Sequence, residues 1–320
     1  MDARDIAYAV GPALLGAMSF AGAAVLQQEA TQSVPEEDSL RLRLLFALLR
    51  RRKWVAGVVL MVAGYGLQGL ALAFGPVALV QPLIVTELAF AIPLAIWRRR
   101  MRPRRREWLG IFLVLAGVAT FLVVADPAAG IASPPLRVWL LSVLPVAAPL
   151  AAAIVGATRV HGRSRAALLG AAAGLALGLL AVLTKALAYL IRQDPARAPA
   201  SWQLYVVIAL GIFALVLSQS AYQAGPLAFS MPFVGVLEPV VAVVIGDTAL
   251  NEQVQLSLGL LAIEASAAAA AAAGVLLLST SPVVLSIYED SRRERAIGRA
   301  FAEPAAGGRR TGQAGGRSLR

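Results

Sequence analysis

The chain of 320 residues is 59% hydrophobic and only 15% charged, with a mean hydropathy of +0.74. These values exclude an ordinary soluble globular protein and indicate a polytopic membrane protein. The net charge of +11 does not indicate nucleic-acid binding, because the basic residues stand in short clusters between long apolar runs, where they set orientation and contact anionic lipid headgroups.

Long apolar runs divide the chain into predicted membrane-spanning helices. About 20 apolar residues are needed to cross the hydrocarbon region. The first run, from Ile6 to Leu26, is longer than a signal-peptide core and predicts a retained helix. The sequence predicts nine spans, at about 6–27, 54–74, 77–97, 107–125, 136–156, 166–190, 202–222, 227–247 and 256–279.

The distribution of arginine and lysine predicts the orientation of these spans. With the N-terminus outside, 24 of the 29 basic residues fall in four cytoplasmic segments, at 31–53, 98–106, 158–165 and from 281 onward. The tryptophans agree with this map, because all five fall at a predicted span end, where indole rings prefer to lie. We therefore expect a multi-pass plasma-membrane protein with a cytoplasmic C-terminus.

Two cytoplasmic segments have patterns of their own. Leucines alternate with arginines in segment 31–53, which predicts a short helix lying in the membrane interface. The tail, 281–320, begins with a stretch that predicts an amphipathic helix and ends in a Gly, Ala and Arg-rich stretch, for which we expect disorder.

The two halves of the chain resemble each other. The sequence from Gly75 aligns without gaps on the sequence from Gly225, so that Pro76 matches Pro226 and Pro82 matches Pro232. The run from Ala13 in the first span also resembles the run from Ala167 in the sixth. Because one helix separates the two sets, equivalent spans cross in opposite directions, as in the inverted repeats of transporters. The predicted transmembrane domain, 1–280, comprises repeat one at 6–127, a linking helix at 136–156 and repeat two at 166–280.

Three acids fall at membrane depth, where a carboxylate costs roughly 2.5–3.5 kcal/mol on insertion scales. They are Glu87, Glu238 and Glu264. Glu87 and Glu238 lie near the centres of the two aligned spans, one alignment position apart. One interpretation is that these acids line a cavity and bind a cation, a proton or the cationic part of a solute. The alternative is that each is a hydrogen-bonded glutamate that joins two helices.

Other polar residues and the prolines of these spans are further candidates. Lys185 lies within snorkelling reach of the outer interface, and pairing with a glutamate in a cavity is the alternative. Gln81, like Gln68 and Gln219, either binds substrate or joins helices. Three prolines inside spans predict helix breaks beside a site, namely Pro82, Pro232 and Pro239.

No arrangement of residues typical of an enzyme site appears in the sequence. The chain has no cysteine, and its one histidine, His161, lies in a basic loop. Nucleotide-binding and metalloprotease motifs are absent as well. We therefore predict no enzymatic activity and no bound cofactor.

The run from Leu237 to Ile263 resembles the end of an EamA module of the drug/metabolite transporter superfamily. Glu238 and Pro239 match its Glu-Pro pair, Glu252 its loop glutamate and Gly259 the glycine of its final helix. The resemblance extends over about residues 8–280 and implies a transporter of small solutes. The superfamily usually has ten helices, whereas this chain has a basic segment in place of the second, and the nine-helix plan resembles the NIPA subgroup, which is linked to magnesium transport.

The predicted function is therefore transport of a small solute by alternating access. No ATPase motif is present, so transport is facilitated or coupled to H⁺ or Na⁺. The alternative substrate is Mg²⁺, bound by Glu87 and Glu238. A third hypothesis is a membrane scaffold or receptor whose basic tail recruits partners. The expected partners are the lipid bilayer, anionic lipids at the basic loops, the solute and, as an open alternative, a second copy of the chain.

Overall fold

A computed structural model describes residues 3–31, 42–98, 102–125, 134–225, 227–251 and 258–282. Throughout these ranges the chain is helical and contains no strand. The helices are α1 (Ala3–Thr31), α2 (Leu42–Leu49), α3 (Arg52–Phe74), α4 (Val77–Val85), α5 (Glu87–Arg98), α6 (Arg105–Ala125), α7 (Leu136–Arg159), α8 (Gly162–Gln193), α9 (Trp202–Ala224), α10 (Leu227–Leu250) and α11 (Leu258–Ser279), with a 3₁₀ helix at Pro195–Ala200.

Six of these helices contain a stretch that is long and apolar enough to cross a membrane. The stretches are Asp5–Gln27, Arg52–Phe74, Leu136–Arg159, Gly162–Gln193, Trp202–Ala224 and Phe229–Leu250. The chain is thus an all-helical protein of the multi-pass membrane type, as its composition predicts. The other three predicted spans coincide with α4–α5, α6 and α11, which are also helical. That all nine cross the membrane stays a prediction.

The third predicted span is divided into α4 and α5 at Thr86. Pro82 lies inside α4 and lacks the backbone N–H that the helix needs at this position. One turn later the backbone tightens, because the N–H of Thr86 binds the carbonyl of Leu83 at 3.1 Å. The hydroxyl of Thr86 donates to the same carbonyl at 2.6 Å. The break predicted at Pro82 therefore lies four residues beyond the proline.

In the second half, α10 continues through both of its prolines. It is a single helix from Leu227 to Leu250, with Pro232 and Pro239 inside it. The prediction that these two prolines break the helix is wrong. Each removes one backbone hydrogen bond, but α10 is held along its length by close packing on α8, which keeps the helix continuous.

Glycines on one face of α8 allow the close approach of α10. A methyl group added at Gly170 would come within 2.6 Å of the Ser230 carbonyl oxygen, and one at Gly174 within 2.9 Å of that of Phe233. Such distances leave no room for a side chain between the helices, as is typical of packing between membrane helices. With α10 on one face and α7 and α9 also in contact, α8 lies at the centre of the second half.

The first half is arranged around α1, which packs on α3, α4 and α5. The two halves meet where α10 contacts α4, where α3 contacts α8 and where α6 packs along α11. The hydroxyl of Ser281, just beyond α11, donates to the buried carboxylate of Glu107 in α6 at 2.5 Å. The rest of the predicted tail lies outside the described residues.

The short helix predicted in the basic segment is present as α2. Leu48 of α2 is buried against Ala30 and Trp54, whereas Phe46 and Leu49 are exposed. This arrangement attaches α2 to the ends of α1 and α3 and leaves apolar side chains exposed on its other face. That this face lies in the membrane interface stays a prediction.

Candidate functional site

A central cavity of about 90 Å³ lies between helices of the two halves. Glu87 and Glu238 both line it, and both side chains are partly exposed to it. Their carboxyl groups are close enough to interact electrostatically. Of the three acids predicted at membrane depth, the structure therefore brings together the two from the aligned spans.

The helix break positions Glu87. Because α4 ends at Val85 and α5 begins at Glu87, this acid is the first residue of a helix. The unpaired N–H groups of a first turn favour a negatively charged side chain. The break therefore places Glu87, which lines the cavity, at the start of α5.

Close helix packing positions Glu238. A methyl group at Gly178 of α8 would lie within 2.7 Å of the Glu238 carbonyl oxygen. The absence of a side chain at Gly178 thus lets the α10 backbone approach α8 at the position that carries the acid. A larger residue at position 178 would collide with α10 at Glu238 and Val241.

Three aromatic residues share the cavity with the two acids: Phe20, Tyr65 and Tyr222. The rings of Phe20 and Tyr65 pack edge to face, with centroids 4.9 Å apart and an interplanar angle of 70°. Both tyrosines lie within electrostatic reach of both carboxyl groups. The cavity therefore combines acids with aromatic rings, which the sequence analysis above does not predict.

A hydrogen-bonded network around Gln219 lies at one end of the cavity, and Gln27 and Gln219 belong to the cavity lining. The Gln219 side-chain oxygen accepts hydrogen bonds from the hydroxyl of Thr31 at 2.6 Å and the indole N–H of Trp54 at 3.3 Å. Its amide nitrogen donates to the Gln27 side-chain oxygen at 2.7 Å. This Gln219 network joins α1 and α3 to α9 at the end predicted to be cytoplasmic.

At the other end, basic residues of α8 bind backbone carbonyls where α3 ends. Lys185 donates to the carbonyl of Gly75 at 3.2 Å, and Arg192 donates to that of Ala73 at 2.8 Å. The Arg192 guanidinium also lies 4.6 Å from the centroid of the Phe74 ring, a cation–π distance. These Lys185 contacts join the two halves at the end predicted to face outward. Lys185 is buried but does not line the central cavity.

Two other predicted residues lie away from the cavity. Gln81 in α4 is buried, and neither atom of its amide has a hydrogen-bond partner among the described residues. Glu264 in α11 is also buried and does not line the cavity. Among the described residues neither is paired with Glu87 or Glu238, and their roles in substrate binding stay predictions.

The sequence pattern does not single out these aromatic residues, because tyrosine is usually an interface residue in membrane proteins. Tyr222 stands at a predicted span end and fits that pattern. Tyr65 stands at the centre of the second predicted span, far from either end. A tyrosine at that depth needs a polar partner, so its position was a signal for a polar cavity.

No group of three or more histidine, cysteine, aspartate or glutamate side chains that could hold a metal ion occurs in the part of the chain that the structure describes. The two carboxylates are thus the strongest metal-binding groups in the cavity. A cation bound by Glu87 and Glu238 would have few other protein ligands.

Comparison with known proteins identifies a similar protein in a bacterium. No family model matches the chain, and no solved structure matches it. The curated protein named "Uncharacterized protein Cgl0250/cg0304", from Corynebacterium glutamicum, is 30% identical over 244 residues. The alignment covers 76% of this chain and 84% of that protein. The chain therefore belongs to the same family as the Corynebacterium glutamicum protein Cgl0250/cg0304.

Proposed function

We propose that the chain is a transporter of the EamA type within the drug/metabolite transporter superfamily, which moves a small solute across the plasma membrane by alternating access. The observation that carries the proposal is the meeting of Glu87 and Glu238 in one cavity. Each comes from the proline-bearing span of one predicted repeat. Binding sites between inverted repeats, at interrupted helices, are typical of such transporters.

The packing of the helices supports two related halves. In the first half α1 packs on α3 and on α4–α5, and in the second half α8 packs on α9 and on α10. These are corresponding pairs under the predicted repeat. In an internal repeat, the helix contacts of one half are expected to occur again between the corresponding helices of the other half.

The contact between α6 and α11 also fits the predicted repeat. At the spacing of 150 residues that aligns Gly75 with Gly225, Gly117 aligns with Ala267. A methyl group at Gly117 would come within 2.5 Å of the Ala267 carbonyl oxygen, so these two positions are in contact. In a two-fold arrangement a residue meets its own counterpart only at the axis. This contact supports a two-fold axis that relates the halves and passes between α6 and α11.

Alternating access needs a barrier at each end of the binding site, and the structure offers a candidate at each. The Gln219 network and the Lys185 contacts both join one half to the other. Opening one while the other stays closed would expose the cavity to one side at a time. Both depend on a few hydrogen bonds, which suits a barrier that has to open.

Mg²⁺ is the second candidate substrate, because the cavity contains two carboxylates and Mg²⁺ prefers oxygen ligands. This ion usually keeps several of its water molecules in protein sites. A cavity of about 90 Å³ has room for a few waters, at about 30 Å³ each.

Solute flux into proteoliposomes tests the proposal. We expect the purified protein to move at least one member of a panel that contains Mg²⁺ and small metabolites. The substitution Glu238→Gln should abolish or uncouple this flux with near-normal expression, because it removes one of the two cavity charges. Asp247→Asn is the matched control, since Asp247 is an exposed acid on the same helix and does not line the cavity.

Two results would argue against transport through this site. Unchanged flux in Glu238→Gln would exclude Glu238 as a site residue. Absence of flux for the whole panel, together with loss of a cellular phenotype on deletion of the tail, would favour the scaffold hypothesis.

A further inference from the structure

The charge of the central cavity restricts what it can bind. Glu87 and Glu238 line it, and its described lining includes no lysine, arginine or histidine. A substrate carboxylate or phosphate would therefore meet two acids and no basic partner. Buried charges need compensation, so this cavity disfavours anions and also zwitterions such as amino acids. It favours a ligand with positive charge alone.

The cavity walls favour an organic cation over a metal ion. The aromatic residues Phe20, Tyr65 and Tyr222 line the cavity together with two methionines, Met61 and Met231. Aromatic rings attract alkylated ammonium groups through cation–π contacts. Methionine side chains adapt to apolar groups of irregular shape. A hydrated metal ion gains little from either.

The amide oxygens of the cavity lining already accept hydrogen bonds from other side chains. The Gln219 oxygen accepts two hydrogen bonds, from Thr31 and Trp54, and the Gln27 oxygen accepts one from Gln219. Mg²⁺ prefers near-octahedral oxygen coordination. The oxygen atoms that remain in the described lining belong to the two carboxyl groups and to the hydroxyls of Tyr65, Ser218 and Tyr222.

We infer that the central cavity is a binding site for a small organic ammonium ion, whose positive charge is attracted by the carboxyl groups of Glu87 and Glu238 and whose alkyl groups contact the aromatic rings. This inference rests on the proposed transport function for its biological meaning, since the ammonium ion would be the transported solute. The binding itself can be measured without transport.

Calorimetric titration of the purified protein with tetramethylammonium tests the inference. This probe has a positive charge and no N–H group, so its binding reports charge and ring contacts only. We expect saturable binding that Mg²⁺ at the same concentration does not displace. The uncharged tert-butyl alcohol, of similar shape, should not bind.

Variants identify the site. Tyr65→Leu and Tyr222→Leu should each weaken tetramethylammonium binding roughly five- to thirtyfold, because each removes a ring from a desolvated cation. Tyr65→Phe and Tyr222→Phe keep the ring, so their loss should stay within about threefold. Tyr205→Leu is the control, because Tyr205 is exposed at the far end of α9.

Several outcomes would overturn the inference. They are no tetramethylammonium binding by folded protein, displacement of the probe by Mg²⁺, or equal binding in the leucine variants and the parent. If a leucine variant fails to fold, the same comparison is made with Glu238→Gln, which should also weaken binding at least tenfold. Binding without flux of any solute would retain this inference and overturn transport. Flux of a neutral solute without ammonium binding would retain the proposed transport function and overturn this inference.

Discussion

Gln219 forms hydrogen bonds with three other side chains. Its single amide group pairs with Thr31, Trp54 and Gln27, which belong to two helices of the other half. Gln219 and the three partners are all buried. In an apolar environment a lost partner leaves a polar group unpaired. The stability of this end of the molecule therefore depends on one side chain.

We predict that Gln219→Leu lowers the stability of the protein. The substitution keeps the size of the side chain but leaves two donors and one acceptor unpaired, at a cost of about 1–2 kcal/mol. Thermal unfolding in detergent should show a lower Tm. Gln203→Leu, at the other end of α9 and partly exposed, should unfold near the parental Tm. Equal stability of the two variants would contradict this account of the Gln219 network.

At this scale the sequence predicts charged residues better than aromatic ones. Glu87 and Glu238 stand out in the sequence because a carboxylate at membrane depth is energetically costly and usually has a function. Phe20 and Tyr222 carry no such signal, because apolar and interfacial rings are common in membrane helices. Which residues face a shared cavity depends on how the helices rotate about their axes. A single sequence does not specify that rotation.

At the scale of helices, the close contact between α8 and α10 depends on glycine. At Gly170 and Gly174 the backbone of α10 lies where a side chain would have to go. The contact also explains why α10 stays continuous through its two prolines, while the α4–α5 span is interrupted. Proline alone does not determine a break, because packing can offset one missing hydrogen bond. The sequence therefore predicts where a helix lacks a backbone hydrogen bond, and tertiary contacts determine whether the helix ends there.

We predict that Gly170→Ala destabilises the protein by about 1–3 kcal/mol, as overpacking typically does. The added methyl group would come within 2.6–2.7 Å of backbone atoms of Ser230, which cannot move independently of α10. Gly66→Ala in α3 is the matched control, because no atom lies within 4 Å of the added group. Chemical or thermal unfolding should separate the two variants. A Gly170→Ala protein as stable as Gly66→Ala would show that α8 and α10 are not in close contact.

For the molecule as a whole, the composition predicts the helical membrane fold, and the structure agrees over six long apolar helices. The basic residues predict an orientation in which the connection at His161 is cytoplasmic and the 3₁₀ segment at Arg197 is external. Both positions are exposed, and the Arg197 side chain is 80% exposed. Orientation depends on insertion into a bilayer rather than on internal contacts, so it has to be measured in cells.

We predict that a membrane-impermeant maleimide labels Arg197→Cys on intact cells and labels His161→Cys only after permeabilisation. The chain has no cysteine of its own, so each introduced thiol is the only reactive one. The parent protein is the control and should stay unlabelled. Losing the exposed Arg197–Asp194 ion pair, at 3.0 Å, should have little effect on stability. The opposite labelling pattern would place the N-terminus in the cytoplasm.

The two ends of the molecule differ in the kind of hydrogen-bond acceptor that joins the halves. At the Gln219 end the acceptors are side chains, whereas at the Lys185 end they are the backbone carbonyls of Ala73 and Gly75. A side-chain acceptor can be lost through one codon change, but a backbone carbonyl is present whatever residue occupies the position. Mutation can therefore remove the contacts at the predicted cytoplasmic end from either half. The contacts to Ala73 and Gly75 at the opposite end can be removed by changing their donors on α8 but not by changing the side chains of the acceptor residues, which leaves fewer evolutionary routes to their loss.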